Sequence, residues 1–184
     1  MEAIIIFVLR TVWYFLPIGI ANMLPVIFRR WFKWLAVPID GGRTVAGQPI
    51  FGPNKTLRGL VVAVLGGTLI FVIQRYAYIN SDFFRSLSLI DYEETPLLLG
   101  ALEGFGAMVG DLVKSFFKRR RNLPPGKSWF PFDQIDFTLG GMIFGFIIYI
   151  PPLAILLFSI ILGALLHIAS NITAKAIGIR KTAW

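Results

Sequence analysis

Apolar residues run almost unbroken from Ile4 to Phe28, interrupted by Arg10 and Asn22. About 25 residues exceed the roughly 20 that an α-helix needs to cross a hydrocarbon core, so this stretch predicts a first membrane-spanning helix. It has no basic n-region, is too long for a leader and is followed by no small-x-small cleavage site, which sets the cleaved-signal reading aside. Leu57 to Ile79 predicts a second span and Pro96 to Phe117 a third, although the third carries Glu103, Asp111 and Lys114. From Ile135 to Ala169 the chain stays apolar for about 35 residues, which as one helix at 1.5 Å per residue would far outrun a bilayer. Pro151 and Pro152 divide it into two short spans joined by a tight turn. The expected fold is all-α: a polytopic membrane protein of five transmembrane helices. No internal repeat, low-complexity tract or compositional break interrupts it, so residues 1–184 read as a single membrane-embedded domain.

Composition agrees with that pattern. The chain is 56% hydrophobic with a mean hydropathy of +0.72, against an apolar share of about 45–50% in soluble domains. A net charge of +8 would raise nucleic acid as a partner in a soluble chain, but in a membrane chain the placement of charge between loops carries the information and no nucleic acid is expected. Arg29, Arg30, Lys33, Arg43, Lys55 and Arg58 lie between spans one and two; Lys118, Arg119, Arg120, Arg121 and Lys127 lie between three and four; Lys175, Arg180 and Lys181 follow span five. The loop between spans two and three instead holds Asp82, Asp91, Glu93 and Glu94 against Arg75 and Arg85. The positive-inside rule then predicts the N-terminus outside, the C-terminus in the cytoplasm, and both basic loops on the cytoplasmic side of the cell membrane.

Absence narrows the chemistry further. With no cysteine, disulfides, thiolate metal sites and thiol nucleophiles are excluded. With His167 the single histidine, two-histidine zinc helices and paired-histidine phosphatase mechanisms are excluded as well. Carboxylates, amines and hydroxyls remain. Asp111, Lys114, Ser115 and Lys118 stand at i, i+3, i+4 and i+7 and stack on one helix face. Such a stripe can hold a divalent cation on its acid and phosphate oxygens on its amines; it also suits a plain helix end with an Asp–Lys pair and a basic anchor. Asp133 and Asp136 are again three apart, at the start of span four, where helix capping and the macrodipole would equally favour an aspartate. Three acids with water and substrate phosphates fit Mg²⁺, and the lack of thiol and paired imidazole ligands points to a hard cation.

The first cytoplasmic loop, Asp40 to Gly59, is rich in Gly and Pro and ends in Asn54, Lys55, Thr56 and Arg58. It lacks P-loop spacing, yet Gly-flanked backbone beside Lys, Thr and Arg can cradle phosphate, or simply turn the chain and anchor it at the interface. Asn22, between Pro17 and Pro25, suggests that span one is bent or broken near its inner end, unless a neighbouring helix satisfies it. Glu103 reads as a buried hydrogen-bonding group, and His167 with Asn171 as helix packing. Arg120 and Arg121 point off the stripe and are expected to meet anionic lipid head groups.

"GDLVKSFFKRR" followed after a short loop by "FDQIDF" resembles the signature of CTP-dependent phosphatidate cytidylyltransferases, the CDP-diacylglycerol synthases. The small size, "FGPNKTLRG" and "LPPGKSWFPFDQIDF" resemble the archaeal branch, the CDP-archaeol synthases, with the likeness spanning Asp40 to Phe137. "SWFPF" stands where the bacterial and eukaryotic enzymes carry a glycine-rich stretch with a histidine, in keeping with the archaeal branch. The resemblance implies Mg²⁺-dependent transfer of CMP from CTP to 2,3-di-O-geranylgeranylglyceryl phosphate, an unsaturated ether lipid, for membrane phospholipid biosynthesis. The residue chemistry suits such a reaction: Asp111, Asp133 and Asp136 as metal ligands, Lys114, Lys118 and Lys55 on the triphosphate, then Arg58, Arg119 and Thr56, and after these Ser115, Asn22 and Asn54. An ionised lipid phosphate needs no general base, so a chain with one histidine can run it.

One alternative is an ion-coupled transporter or channel subunit with Glu103, Asp111 and a broken first span along its pathway. Its acids belong near the midplane, whereas most of these sit with cations at the cytoplasmic end. A CDP-alcohol phosphotransferase would need a longer D-G…A-R…G…D…D array, which the chain lacks.

Overall fold

The computed structural model of the chain describes residues 1–176, with side chains through Thr173; Arg180 and Lys181, and the side chain of Lys175, lie outside the described residues. The architecture is mostly helical. Helix α1 spans Glu2–Ile27, α2 Leu57–Asn80, α3 Asp82–Leu87, α4 Leu98–Arg120, α5 Phe132–Gly145 and α6 Leu153–Ala176. Between α1 and α2 lie two 3₁₀ turns, Phe28–Arg30 and Lys33–Leu35, and a two-stranded antiparallel hairpin, β1 Thr44–Val45 with β2 Gln48–Pro49. Thr44 pairs with Pro49 and Val45 with Gln48. The short α3 and the hairpin are too brief to leave a hydrophobic period in the sequence.

Among the described residues three helices are long and apolar enough to cross a membrane, over Glu2–Arg30, Leu57–Asn80 and Leu153–Thr173. Helix α4 matches the expected third segment but carries six charged residues within Leu98–Arg120. Helix α5 stops at Gly145, with Phe146 to Tyr149 folded back in a turn that precedes Pro151 and Pro152, so its 14 residues reach only about 21 Å at 1.5 Å each. Helix α6, with 24 residues, is longer than the short span expected there.

Helix α1 runs unbroken through Pro17 and Pro25, and the expected break is deferred to the 3₁₀ turn at Phe28. The reason is visible at Pro17. Proline there donates no bond to the carbonyl four residues earlier, that of Trp13. Gln74 of α2, itself only 1% exposed, donates its Nε2 to Trp13 O at 2.5 Å and supplies the missing donor. Gln74→Leu is therefore expected to cost about 1–3 kcal/mol by orphaning that carbonyl, read as a lower thermal unfolding midpoint in detergent. Arg10, the lone basic residue of the first stretch, is occupied by Ser86 O, at 3.2 and 2.9 Å from Nε and Nη2.

The core lies where α1, α2, α4 and α5 meet, around Phe15, Ile18, Ala21, Ala63, Ala107, Met108, Phe137 and Met142. Within a membrane, close helix approach depends on small residues rather than on burial from water. A methyl at Gly110 would overlap the backbone oxygen of Asp136, and one at Gly104 the backbone oxygen of Ala63. These contacts fix the register of α4 against α5 on one side and α2 on the other, and so place Asp111 beside Asp136.

Candidate active site

The stripe on α4 and the acids of α5 face each other. Lys114 Nζ lies 3.0 Å from Asp111 Oδ1, 3.0 Å from Asp133 Oδ1 and 2.7 Å from Asp136 Oδ2. Lys118 Nζ lies 3.0 Å from both oxygens of Asp133 and also donates to Lys127 O. Lys55 pairs with Asp111 Oδ2. Three carboxylates and three ammonium groups thus interlock, and their formal charges cancel. Charge this deep would be costly unpaired, so each group is held by opposite charge.

Lys55 arrives on a turn. Gly52, Pro53, Asn54 and Lys55 form it, closed by Lys55 N donating to Gly52 O at 3.1 Å, with Pro and Asn at the two central positions that favour them. The base of the turn is clamped by Ile39 N on Lys55 O at 2.8 Å and Leu57 N on Val37 O at 2.9 Å. Asp40 accepts from Gly42 N at 3.0 Å, Phe51 N at 2.9 Å and Gly52 N at 3.1 Å. Its desolvation would raise its pKa, but these backbone donors hold it below the usual carboxylate value. A depressed folded pKa stabilises the loop above the unfolded value and is lost as pH falls through the folded one. Asp40→Asn leaves one acceptor oxygen for these donors and turns an amide toward N–H groups. We expect a cost of about 1–3 kcal/mol, measured as a lower thermal unfolding midpoint in detergent, through a loosened Lys55 turn.

Six of the expected site residues converge: Asp111, Asp133, Asp136, Lys114, Lys118 and Lys55. Lys114, expected on the triphosphate, stands at the centre of the acids. Thr56 caps α2, its Oγ1 accepting from Gly59 N at 3.3 Å. Arg58 donates to Trp31 O at 3.3 Å, away from the acids. Asn54 is exposed at the turn. Ser115 is buried within the bundle, and Asn22 is half-buried on α1, with no side-chain hydrogen bond for Asn22 among the described residues. Arg119 packs by Gly52, where a Cβ would lie 3.9 Å from its Cδ. Arg120 and Arg121 have protein partners where lipid head groups were expected. Arg120 donates to Pro49 O at 2.8 Å and covers the Phe116 ring at 4.2 Å, while Arg121 lies 5.1 Å from the Trp129 ring centroid.

Glu103 is 1% exposed and packs near Gly145, apart from the interlocked charges. Asn171 Nδ2 lies 3.4 Å from His167 Nδ1, one turn away on α6. Sequence reasoning missed Asp40, Trp129 and Lys127, whose contributions run mainly through backbone: Trp129 N donates to Asp133 Oδ2, and the Lys127 carbonyl receives Lys118. The Asp40-Gly41-Gly42 run was the one available signal, because Asp before Gly favours such a self-bonded turn.

Among the described residues no three acidic or histidine side chains form a ready metal group. The carboxylates surround Lys114 Nζ at 2.7–3.0 Å, wider than the about 2.0–2.1 Å of a Mg²⁺–oxygen bond. The donor set itself is all oxygen and triply anionic, directed at one cation position, which suits a hard dication that displaces the ammonium.

The family model described as CarS-like, CDP-archaeol synthase, matches residues 4–184. The CDP-archaeol synthase of Thermococcus kodakarensis is 35% identical over 173 residues, covering 94% of each chain. That of Thermococcus gammatolerans is 37% identical with the same coverage, and that of Methanocaldococcus jannaschii is 32% identical over 95% of this chain and 96% of its own. A solved structure described as an intramembrane enzyme for archaeal membrane lipids biosynthesis superposes with a TM-score of 0.69 and 27% identity, over 88% of this chain and 92% of that one. The interlocked aspartates and lysines therefore sit in a membrane enzyme, and the chain belongs to the CDP-archaeol synthase family of CTP-dependent cytidylyltransferases.

Proposed function

We propose that the protein transfers CMP from CTP to 2,3-di-O-geranylgeranylglyceryl phosphate in a Mg²⁺-dependent reaction at the cytoplasmic end of five membrane-spanning helices. The supporting observation is the convergence of Asp111, Asp133 and Asp136 from α4 and α5 onto one cation position, with Lys55 and Lys118 at its edge. A lipid phosphate oxygen forms a bond to the α-phosphorus of CTP, and the α–β P–O bond breaks with its electrons leaving on diphosphate. The attacking oxygen is already ionised, so no side chain need remove a proton.

Asp111, Asp133 and Asp136 would hold Mg²⁺, which neutralises phosphate charge during transfer. Lys55 and Lys118 lie where they can meet the triphosphate, and Lys114 joins them once the dication takes its place among the acids. Arg58, Thr56, Ser115, Asn22 and Asn54 stand outside this contact set and are assigned to holding the loop and helices around it. The transporter reading would call on Glu103, Asp111 and a broken first span, whereas α1 runs unbroken through Pro17 and Pro25.

Purified protein given Mg²⁺, radiolabelled CTP and the lipid phosphate should yield CDP-lipid, and EDTA should abolish the yield until Mg²⁺ is restored. Turnover that survives EDTA removes the metal from the proposal, and absence of CDP-lipid under all conditions removes the reaction. Matched ether and ester lipid phosphates test the choice of tail. For orientation, cysteines introduced at Gly126 and Asp91 should label from opposite membrane faces; labelling from one face overturns the span count and the N-out, C-in arrangement.

A further inference from the structure

Helix α1 ends at Ile27, and residues 28–37 that follow it carry four aromatic side chains and three cations. Trp31 is 64% exposed and Trp34 75%, and the Phe28 ring lies 5.7 Å from that of Trp31 and 6.2 Å from that of Phe32. An apolar patch of this kind is uncommon on a surface bathed in water. The apolar span of α1 runs on to Arg30, so the patch stands where the chain leaves the hydrocarbon. Indole rings suit that level of a bilayer, with an apolar body for the acyl boundary and an N–H for the polar head groups. The backbone bends sharply between the two 3₁₀ turns. Phe32 has φ 47° and ψ 50°, a left-handed conformation that is unfavourable for a bulky side chain. Strain of this sort persists where surroundings or function hold it.

Charge decides which bilayer surface the patch fits. Arg29, Arg30 and Lys33 are exposed and have neither an ion pair nor a side-chain hydrogen bond among the described residues. Asp40, the next carboxylate along the chain, is taken up by the N–H groups of Gly42, Phe51 and Gly52. Arg120 and Arg121, by contrast, are held by the hairpin and by the Trp129 ring. Each lysine or arginine near an anionic bilayer favours that surface by about fivefold. Three unpaired cations among interfacial aromatics therefore complement anionic head groups in particular.

The same segment is tied to the Lys55 turn. Val37 O accepts from Leu57 N at 2.9 Å, Lys55 O from Ile39 N at 2.8 Å, and Trp31 O from Arg58 Nη1 at 3.3 Å. A displacement of the aromatic patch is thus passed to the loop from which Lys55 reaches Asp111.

We propose that residues 28–37 form a docking surface for anionic lipid head groups of the surrounding bilayer, and that seating there steadies the Lys55 turn. Its bearing on turnover rests on the CTP-dependent reading above; the docking does not, and both tests read the membrane and the loop directly. Ala36→Cys places a single thiol in the segment of this cysteine-free chain, where a fluorophore can be attached to the full-length protein. The bilayer contains phosphatidylcholine and phosphatidylglycerol in equal parts. Bromine on the phosphatidylglycerol chains should quench the label at least about twofold more than bromine on the phosphatidylcholine chains. Arg29→Gln, Arg30→Gln and Lys33→Gln together should remove that excess. Equal quenching before substitution, or an excess that survives it, overturns the selection of anionic head groups. Absence of quenching by either lipid places the segment against protein or water and overturns the docking.

Hydrogen exchange at the amides of Gly52, Lys55 and Leu57 reads the second half of the proposal. It should slow by about threefold on passing from pure phosphatidylcholine to the mixed bilayer, and the triple substitution should abolish the slowing. Exchange indifferent to the lipid overturns the link to the Lys55 turn. Absence of CDP-lipid synthesis in wild-type protein, with both signals intact, counts against the reaction and leaves this surface standing.

Discussion

Asp111→Asn is expected to lower turnover of CTP by about 10³-fold or more, and Asp133→Asn by a similar factor, in purified protein that still elutes from detergent as wild type does. Each substitution keeps side-chain size and removes one of three negative charges directed at a single cation position. Phosphoryl chemistry between two anionic reactants depends on cationic charge at the α-phosphorus, so if these acids hold the proposed dication, losing one should reduce the rate far more than it reduces lipid affinity. The effect should fall on kcat, and raising Mg²⁺ should recover part of it if weakened metal binding is responsible. Activity near the wild-type level in both variants would detach these carboxylates from the reaction and leave them as partners of Lys114.

The largest effect on stability is expected from Lys114→Met. The ammonium meets Asp111, Asp133 and Asp136, and the four side chains are 7–19% exposed. Methionine keeps much of the apolar stem but leaves three carboxylates crowded without their shared counter-charge. Breaking a buried pair in this way costs about 3–5 kcal/mol. Lys118→Met should cost less, because Lys118 meets Asp133 alone among the carboxylates and that acid keeps Lys114 and Trp129 N. Adding Asp136→Asn to Lys114→Met should return part of the lost stability, measured by thermal unfolding in detergent. Equal midpoints for Lys114→Met and wild type would show that the acids are not charged around this lysine.

Helix periodicity alone foretells much of the fold. The segments that became α1, α2 and α4 lie within a few residues of their hydrophobic stretches, and the break near Pro151 and Pro152 falls between two helices as expected. Arg120 shows where that reading stops. Its position off the stripe is correctly inferred from helical spacing, but its partner is Pro49 O, a hairpin carbonyl 71 residues away that spacing cannot reveal. Asp40 shows the same limit, since its function lies in backbone N–H groups that depend on how Phe51 and Gly52 return to it.

The sequence by itself determined a membrane environment, the helical class, an oxygen and amine chemistry, and the grouping of Asp111 with Lys114 and of Asp133 with Asp136, because those properties follow from composition and from the pitch of one helix. Only the tertiary structure decided that both pairs share one ammonium, that Lys55 joins Asp111, and that Arg119 packs by Gly52. Those outcomes depend on how closely α4 approaches α5, which the absence of a side chain at Gly110 permits, and on the path of a loop whose order comes from backbone hydrogen bonds rather than from a periodic side-chain pattern.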